Sequence, residues 1–85
     1  MRVIFNQRAF EELSEWVKEN PRTVKKIFEL IDDIKRTPYS GLGKPEPLKY
    51  ELAGFWSRRI TEEPRLVYAI AGTDIAVISC RTHYK

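Results

Sequence analysis

Apolar positions along this chain recur with a helical period in the first half and with an alternating period in the second. Val3-Ile4-Phe5 is a short β-branched and aromatic run that predicts an N-terminal strand. Asn6 follows as a residue whose side-chain oxygen can cap a helix. Phe10, Leu13, Trp16 and Val17 then recur at helical spacing, with Glu11, Glu12, Glu15 and Lys18 on the other faces. Asn20-Pro21 ends this helix and starts a second, with Asn at the cap and Pro at the first helical position. Val24, Ile27, Phe28, Ile31 and Ile34 form its apolar stripe, while Lys25, Lys26, Asp32, Asp33, Lys35 and Arg36 cover the remainder. It stops at Thr37-Pro38. The two helices form a hairpin whose apolar faces need a partner layer.

Pro38 to Pro47 holds three of the five prolines and two of the four glycines, which predicts a loop. Within it, Glu46 stands between Pro45 and Pro47, and Lys44 and Lys49 flank the stretch. Lys44 and Glu46 both precede a proline, so an extended and stiff backbone is expected around Glu46. Leu48, Tyr50 and Leu52 then share one parity of an alternating run, and Ala53-Gly54 turns. Residues 55–61, 65–71 and 75–84 read as strands separated by short turns, which requires antiparallel pairing. The expected architecture is α+β, with an N-terminal strand and a two-helix hairpin packed on an antiparallel meander, in a single domain over residues 1–85.

Composition narrows the classes without choosing among them. An apolar fraction of 42% and an aromatic fraction of 12% fit a folded globular domain. The formal net charge of +3 is too small to establish nucleic-acid binding, so the placement of the charges must decide. Cys80 is the single cysteine, which leaves no disulfide framework and no Cys-based metal site, and points to a buried reduced thiol. With one histidine as well, no metal and no cofactor is expected. The N-terminal apolar run is far too short for a signal peptide, and no run could span a bilayer, so a soluble cytoplasmic protein without membrane contact is expected.

Register arithmetic gives the charges a common location. A three-residue loop at Glu62-Glu63-Pro64 would pair Arg59 with Val67 and set Arg59 and Arg65 diagonally on one face. A three-residue loop at Gly72-Thr73-Asp74 would place Arg81 opposite Arg65, with His83 on the same face. Leu66, Tyr68, Ile70, Ala76, Ile78 and Cys80 would then face the helices. Guanidinium groups gathered without internal carboxylates call for an external anion, and phosphate matches their planar fork. Arg58 is expected beside Arg59 on the solvated edge, among the phosphate-binding groups. Arg65 has an alternative in Glu62 or Glu63, and Phe55 and Trp56 suit hairpin packing better than base stacking.

Cleavage of a phosphodiester needs a base, an acid and cations around the phosphoryl group. Glu46 can serve as base, His83, with a reference pKa of about 6.5, as acid, and Arg59, Arg65 and Lys49 as stabilisers. Without a metal, the nucleophile a carboxylate activates most readily is the neighbouring 2′-hydroxyl of RNA, giving a 2′,3′-cyclic phosphate.

Four segments carry a family resemblance: Lys44-Pro45-Glu46-Pro47-Leu48-Lys49, Gly54-Phe55-Trp56-Ser57-Arg58-Arg59-Ile60, Arg65-Leu66-Val67-Tyr68 and Cys80-Arg81-Thr82-His83-Tyr84. In order, spacing and length the chain resembles the YoeB toxins, within the RelE superfamily of ribosome-dependent mRNA interferases. The resemblance implies a microbial-ribonuclease-like fold and cleavage of mRNA in the ribosomal A site. It implies Glu46 as general base, His83 as general acid, Arg65 as transition-state stabiliser and Tyr84 as the residue orienting the RNA. Lys49 and Arg59 match residues that hold the scissile phosphate. Its implied partners are a YefM-like antitoxin, the 70S ribosome with mRNA, and operator DNA only through the antitoxin; it also allows a homodimer. Thr82 stands where family members often carry tyrosine, and Lys85 extends past Tyr84. A gyrase-poisoning ParE-like toxin and a non-catalytic RNA- or ribosome-binding module are the rival readings.

Overall fold

A computed structural model describes residues 1–81. The N-terminal strand β1 (Val3–Phe5) leads into helix α1 (Gln7–Glu19), where Asn6 Oδ1 accepts from the Ala9 N–H at 2.8 Å as the predicted cap. Helix α2 (Pro21–Arg36) starts on Pro21 as expected, but the Asn20 side chain makes no capping hydrogen bond. Its carbonyl takes the Thr23 N–H instead, at 3.0 Å. Four further strands follow: β2 (Glu46–Pro47), β3 (Trp56–Arg59), β4 (Arg65–Ala71) and β5 (Asp74–Ser79).

The sheet order is β1-β5-β4-β3-β2. β3 to β5 form the expected antiparallel meander; β2, within the segment expected as a loop, pairs antiparallel with β3, and β1 joins β5 in parallel, which makes the five-stranded sheet mixed. Ala9 of α1 and Ile27, Leu30, Ile31 and Ile34 of α2 pack on Leu66, Tyr68, Ile75, Val77 and Cys80 to form the core. Such burial of apolar surface is the main favourable term in folding. Phe10, Val17 and Phe28, expected on the buried stripes, are about half exposed.

Two turns differ from the expected lengths, with different consequences. The β3–β4 connection spans five residues, so Arg59 pairs directly with Arg65 rather than diagonally. A shift of two leaves every side chain on its expected face. The β4–β5 turn has only Gly72 and Thr73 between the paired Ala71 and Asp74, and Gly72 adopts φ +62°. That shift of one turns Ile75 and Val77 toward the helices and Ala76 and Ile78 away from them, reversing the expected faces. A bulge between Val67 and Tyr68 absorbs the difference, so Ser79 lies opposite Val67 and Cys80 returns to the core. The run 48–52 is not a strand: Tyr50–Leu52 forms one 3-10 turn.

Candidate active site

The site begins at the β2 edge. Glu46 pairs with Ser57, Ser57 with Val67, and Arg59 with Arg65, so Glu46, Ser57, Arg59 and Arg65 share the sheet face opposite the helices. Glu46 Oε1 lies 3.8 Å from Arg65 Nη1, with the carboxylate side chain 58% exposed and the guanidinium 13%. Arg65 Nη1 is fully buried and has no hydrogen-bond partner among the described residues. Buried polar groups are almost always hydrogen-bonded, so this nitrogen is an exception that makes Arg65 a candidate for binding another acceptor. Arg59 stands directly across from Arg65 and is exposed. Two like charges at this spacing repel. Beside Glu46 opens a groove of about 270 Å³, lined by Lys49, Tyr50 and Ser57 among others.

The loop before Glu46 is fixed by a buried ion pair rather than by its prolines alone. Arg58 is 0% exposed. Its Nη1 donates to Asp33 Oδ2 at 2.6 Å and to the Leu42 carbonyl at 3.1 Å; its Nη2 donates to the carbonyls of Thr37 at 2.6 Å and Ser40 at 2.8 Å. Nε donates to the Tyr68 hydroxyl, which in turn donates to the Pro38 carbonyl at 2.6 Å. All five N–H groups of this guanidinium therefore have acceptors. Asp33 also accepts from the Leu42 N–H at 2.9 Å and from Arg36 at 2.9 Å. The Leu42 N–H, then Arg58 and Arg36, hold its carboxyl down at about 2 from an ordinary 3.8. Burial pushes the Tyr68 hydroxyl up, against the pull of Arg58.

From this anchor Gly43 passes over β3, and its carbonyl accepts from the Arg59 N–H at 2.7 Å. Gly43 has φ +79°, and a Cβ there would lie 2.8 Å from the Arg59 carbonyl oxygen. Lys44 adopts φ +52°, so the expected extended backbone begins only at Glu46, where pairing with β3 enforces it.

A family model for the YoeB-like toxin of bacterial type II toxin-antitoxin systems matches residues 5–84. The chain belongs to the YoeB toxin family. Toxin YoeB of Escherichia coli (strain K12) is 51% identical over 84 residues, covering 99% of this chain and 100% of the relative. Among solved structures, the YoeB/ParE toxin from Agrobacterium tumefaciens superposes with a TM-score of 0.95 at 46% identity, covering 99% of this chain and 100% of that one. YoeB from Staphylococcus aureus, solved as a dimer, gives 0.93 at 41% identity, covering 99% and 98%; it has also been solved in a heterotetrameric complex with the antitoxin YefM.

Of the residues expected at a YoeB site, Glu46 and Arg65 come together, Arg59 stands beside Arg65, and Lys49 lines the adjoining groove. His83 and Tyr84, with Thr82 and Lys85, lie outside the described residues. Two expectations are corrected. Arg58 binds no external phosphate, because it is buried on the helix side with every donor engaged. Arg81 is drawn to α1: it pairs with Glu19 at 2.7 Å and Glu15 at 3.1 Å, and its guanidinium lies 4.6 Å from the centre of the Trp16 ring. The Glu19 hydrogen bond raises the Arg81 pKa. Its donors therefore serve α1 and not the arginine face. Sequence reasoning missed Ser57 and Asp33. Asp33 was detectable in retrospect, since it falls on the Ile27–Leu30–Ile34 side of α2, and Arg58 shares parity with Trp56 and Ile60.

Among the described residues, no helix is long and apolar enough to cross a membrane.

Proposed function

We propose that this YoeB-family chain is a metal-independent endoribonuclease that cleaves mRNA in the ribosomal A site and so stops translation. One observation carries the reading: a buried, unpaired Arg65 nitrogen lies 3.8 Å from the Glu46 carboxylate at the edge of an open groove. Glu46 accepts the proton of an RNA 2′-hydroxyl, and the freed oxygen attacks the adjacent phosphorus. Arg65, with Lys49 and Arg59 nearby, stabilises the added negative charge on the phosphoryl oxygens. The bond to the 5′-oxygen breaks, and His83 supplies the proton that this oxygen takes up, while Tyr84 orients the strand. The products are a 2′,3′-cyclic phosphate and a 5′-hydroxyl.

The partners in this reading are the 70S ribosome with its mRNA, a YefM-like antitoxin that holds the toxin inactive, and a second copy of the chain, all in the cytoplasm. Operator DNA is reached only through the antitoxin. The S. aureus dimer and YefM complex support the second copy and the antitoxin by similarity. Mapping mRNA 5′ ends after induction tests the activity. Cuts inside codons of translated messages, abolished by Glu46→Gln and by His83→Gln, are expected. Growth arrest with intact messages would overturn the nuclease reading, and accompanying DNA breaks would favour gyrase poisoning.

A further inference from the structure

Tyr50 combines two features that folding alone does not explain. It adopts φ +58°, a left-handed conformation that is a genuine outlier for a bulky residue. It is also 86% exposed, so its ring gains almost no burial in return. The conformation is held by the tight turn around it, in which the Leu52 N–H donates to the Lys49 carbonyl at 3.1 Å and the Ala53 N–H to the Tyr50 carbonyl at 3.0 Å. Strain held by surrounding structure at a cleft points to a function for the strained residue.

The groove beside it has mixed chemistry. Leu48 and Leu52 supply apolar wall, Tyr50 an aromatic face, and Lys49 a cation, while Glu46 links the groove to Arg65. Ser57, only 2% exposed, lines the same groove and carries a hydroxyl that can both donate and accept. A ligand satisfying all of these has a flat apolar face, a polar edge and an attached anion. A nucleotide of single-stranded RNA has this form, and such bases are bound by aromatic stacking and by hydrogen bonds to their edges.

The geometry points to a nucleobase subsite in which the Tyr50 ring stacks on the base next to the scissile phosphate and the Ser57 hydroxyl meets that base's edge. This rests on the ribonuclease reading above for the identity of the anion. The probe is a fluorescein-labelled RNA heptamer carrying 2′-O-methyl groups throughout, which cannot undergo 2′-hydroxyl attack, read by anisotropy. Tyr50→Ala is expected to weaken binding roughly five- to a hundred-fold, the range of a base–aromatic stack, with Tyr50→Phe within about two-fold of the parent. Replacing one base by an abasic site should erase the difference between parent and Tyr50→Ala at one position along the strand.

Tyr50→Gly separates function from structure. Glycine accepts the positive φ without strain, so its urea midpoint should be equal to or above the parent's while RNA binding falls as for Tyr50→Ala. The subsite is overturned if the parent does not bind the heptamer, if Tyr50→Ala binds like the parent, or if its loss persists with every abasic strand. A parent that binds the heptamer with Tyr50-dependent stacking but leaves ribosome-borne mRNA uncut would instead sink the nuclease reading and keep the subsite.

Discussion

Replacing Asp33 by Asn tests the buried anchor beneath the site. The change keeps the side chain's shape but removes its charge and turns one acceptor into a donor facing the Leu42 N–H, Arg58 or Arg36. The folded-state pKa of Asp33 is lowered from 3.8 to about 2. A lowered pKa means that the stabilisation is fully present above 3.8 and disappears as pH falls through about 2. That gap, at 1.36 kcal/mol per pH unit, corresponds to about 2 kcal/mol at neutral pH. The unpaired Arg58 adds to the loss, so a total of about 2–4 kcal/mol is expected. For a domain of this size the total stability is on the order of 4–13 kcal/mol, so the variant should fold with a much earlier transition. Urea titrations followed by Trp16 and Trp56 fluorescence measure it. With a slope of roughly 1 kcal/mol/M, the midpoint should drop by about 2 M or more at pH 7, and the gap between parent and variant should narrow from pH 4 to pH 2. A gap below about 0.5 kcal/mol at pH 7, or one that stays constant down to pH 2, would refute the assignment of Asp33 as the charged anchor.

Gly43→Ala should destabilise by about 1–3 kcal/mol and lower cleavage, because a methyl group at φ +79° would meet the Arg59 carbonyl and displace the segment leading into Glu46; urea denaturation and a cleavage assay measure both. Arg65→Met should reduce cleavage by about 100- to 1,000-fold while costing at most about 1–2 kcal/mol in the urea titration, since Met keeps much of the buried stem and the Nη1 nitrogen it removes makes no hydrogen bond. Burial, and secondarily Glu12, push the Cys80 thiol up to about 12, so it stays protonated at pH 8 and should react with a disulfide reagent only at the rate of unfolding.

The helices were legible because their apolar residues keep a 3.6-residue period and their limits carry Asn6, Pro21 and Pro38. The common face of Arg59 and Arg65 was legible because a two-residue error in the β3–β4 turn preserves faces. The approach of Glu46 came only from the family resemblance, since its segment read as a loop and not as a strand paired with β3. The faces of Ile75 to Ile78 were not, because Gly72-Thr73-Asp74 is compatible with a two- or a three-residue turn and a bulge leaves no composition signal here. Leu48, Tyr50 and Leu52 alternate like a strand, yet Tyr50 turns left-handed and closes a 3-10 turn. Alternation predicts a face only where a partner strand continues, and β2 ends at Pro47. The solvated role given to Arg58 failed because residue type outweighed parity: a charged side chain between Trp56 and Ile60 faces the core and requires a buried acid.

Arg58 and Arg65 are the same residue type on adjacent strands, and their hydrogen bonding separates their roles. A guanidinium with acceptors on all five donors has no capacity for a ligand, and its value lies in immobilising what it holds. Arg58 holds the Thr37–Leu42 segment to β3, and its immediate neighbours Ser57 and Arg59 face the other side of the sheet. Strand alternation thus lets one buried ion pair fix both the strand that carries Ser57 and Arg59 and the chain that delivers Glu46. Arg65 has the opposite balance, with a buried nitrogen left unpaired beside a carboxylate 3.8 Å away. That distance is too long for a hydrogen bond, which is what the proposed mechanism requires: a nitrogen open to a phosphate and a carboxylate open to a proton. A site that must bind an anion and accept a proton within one groove needs both groups incompletely satisfied by each other.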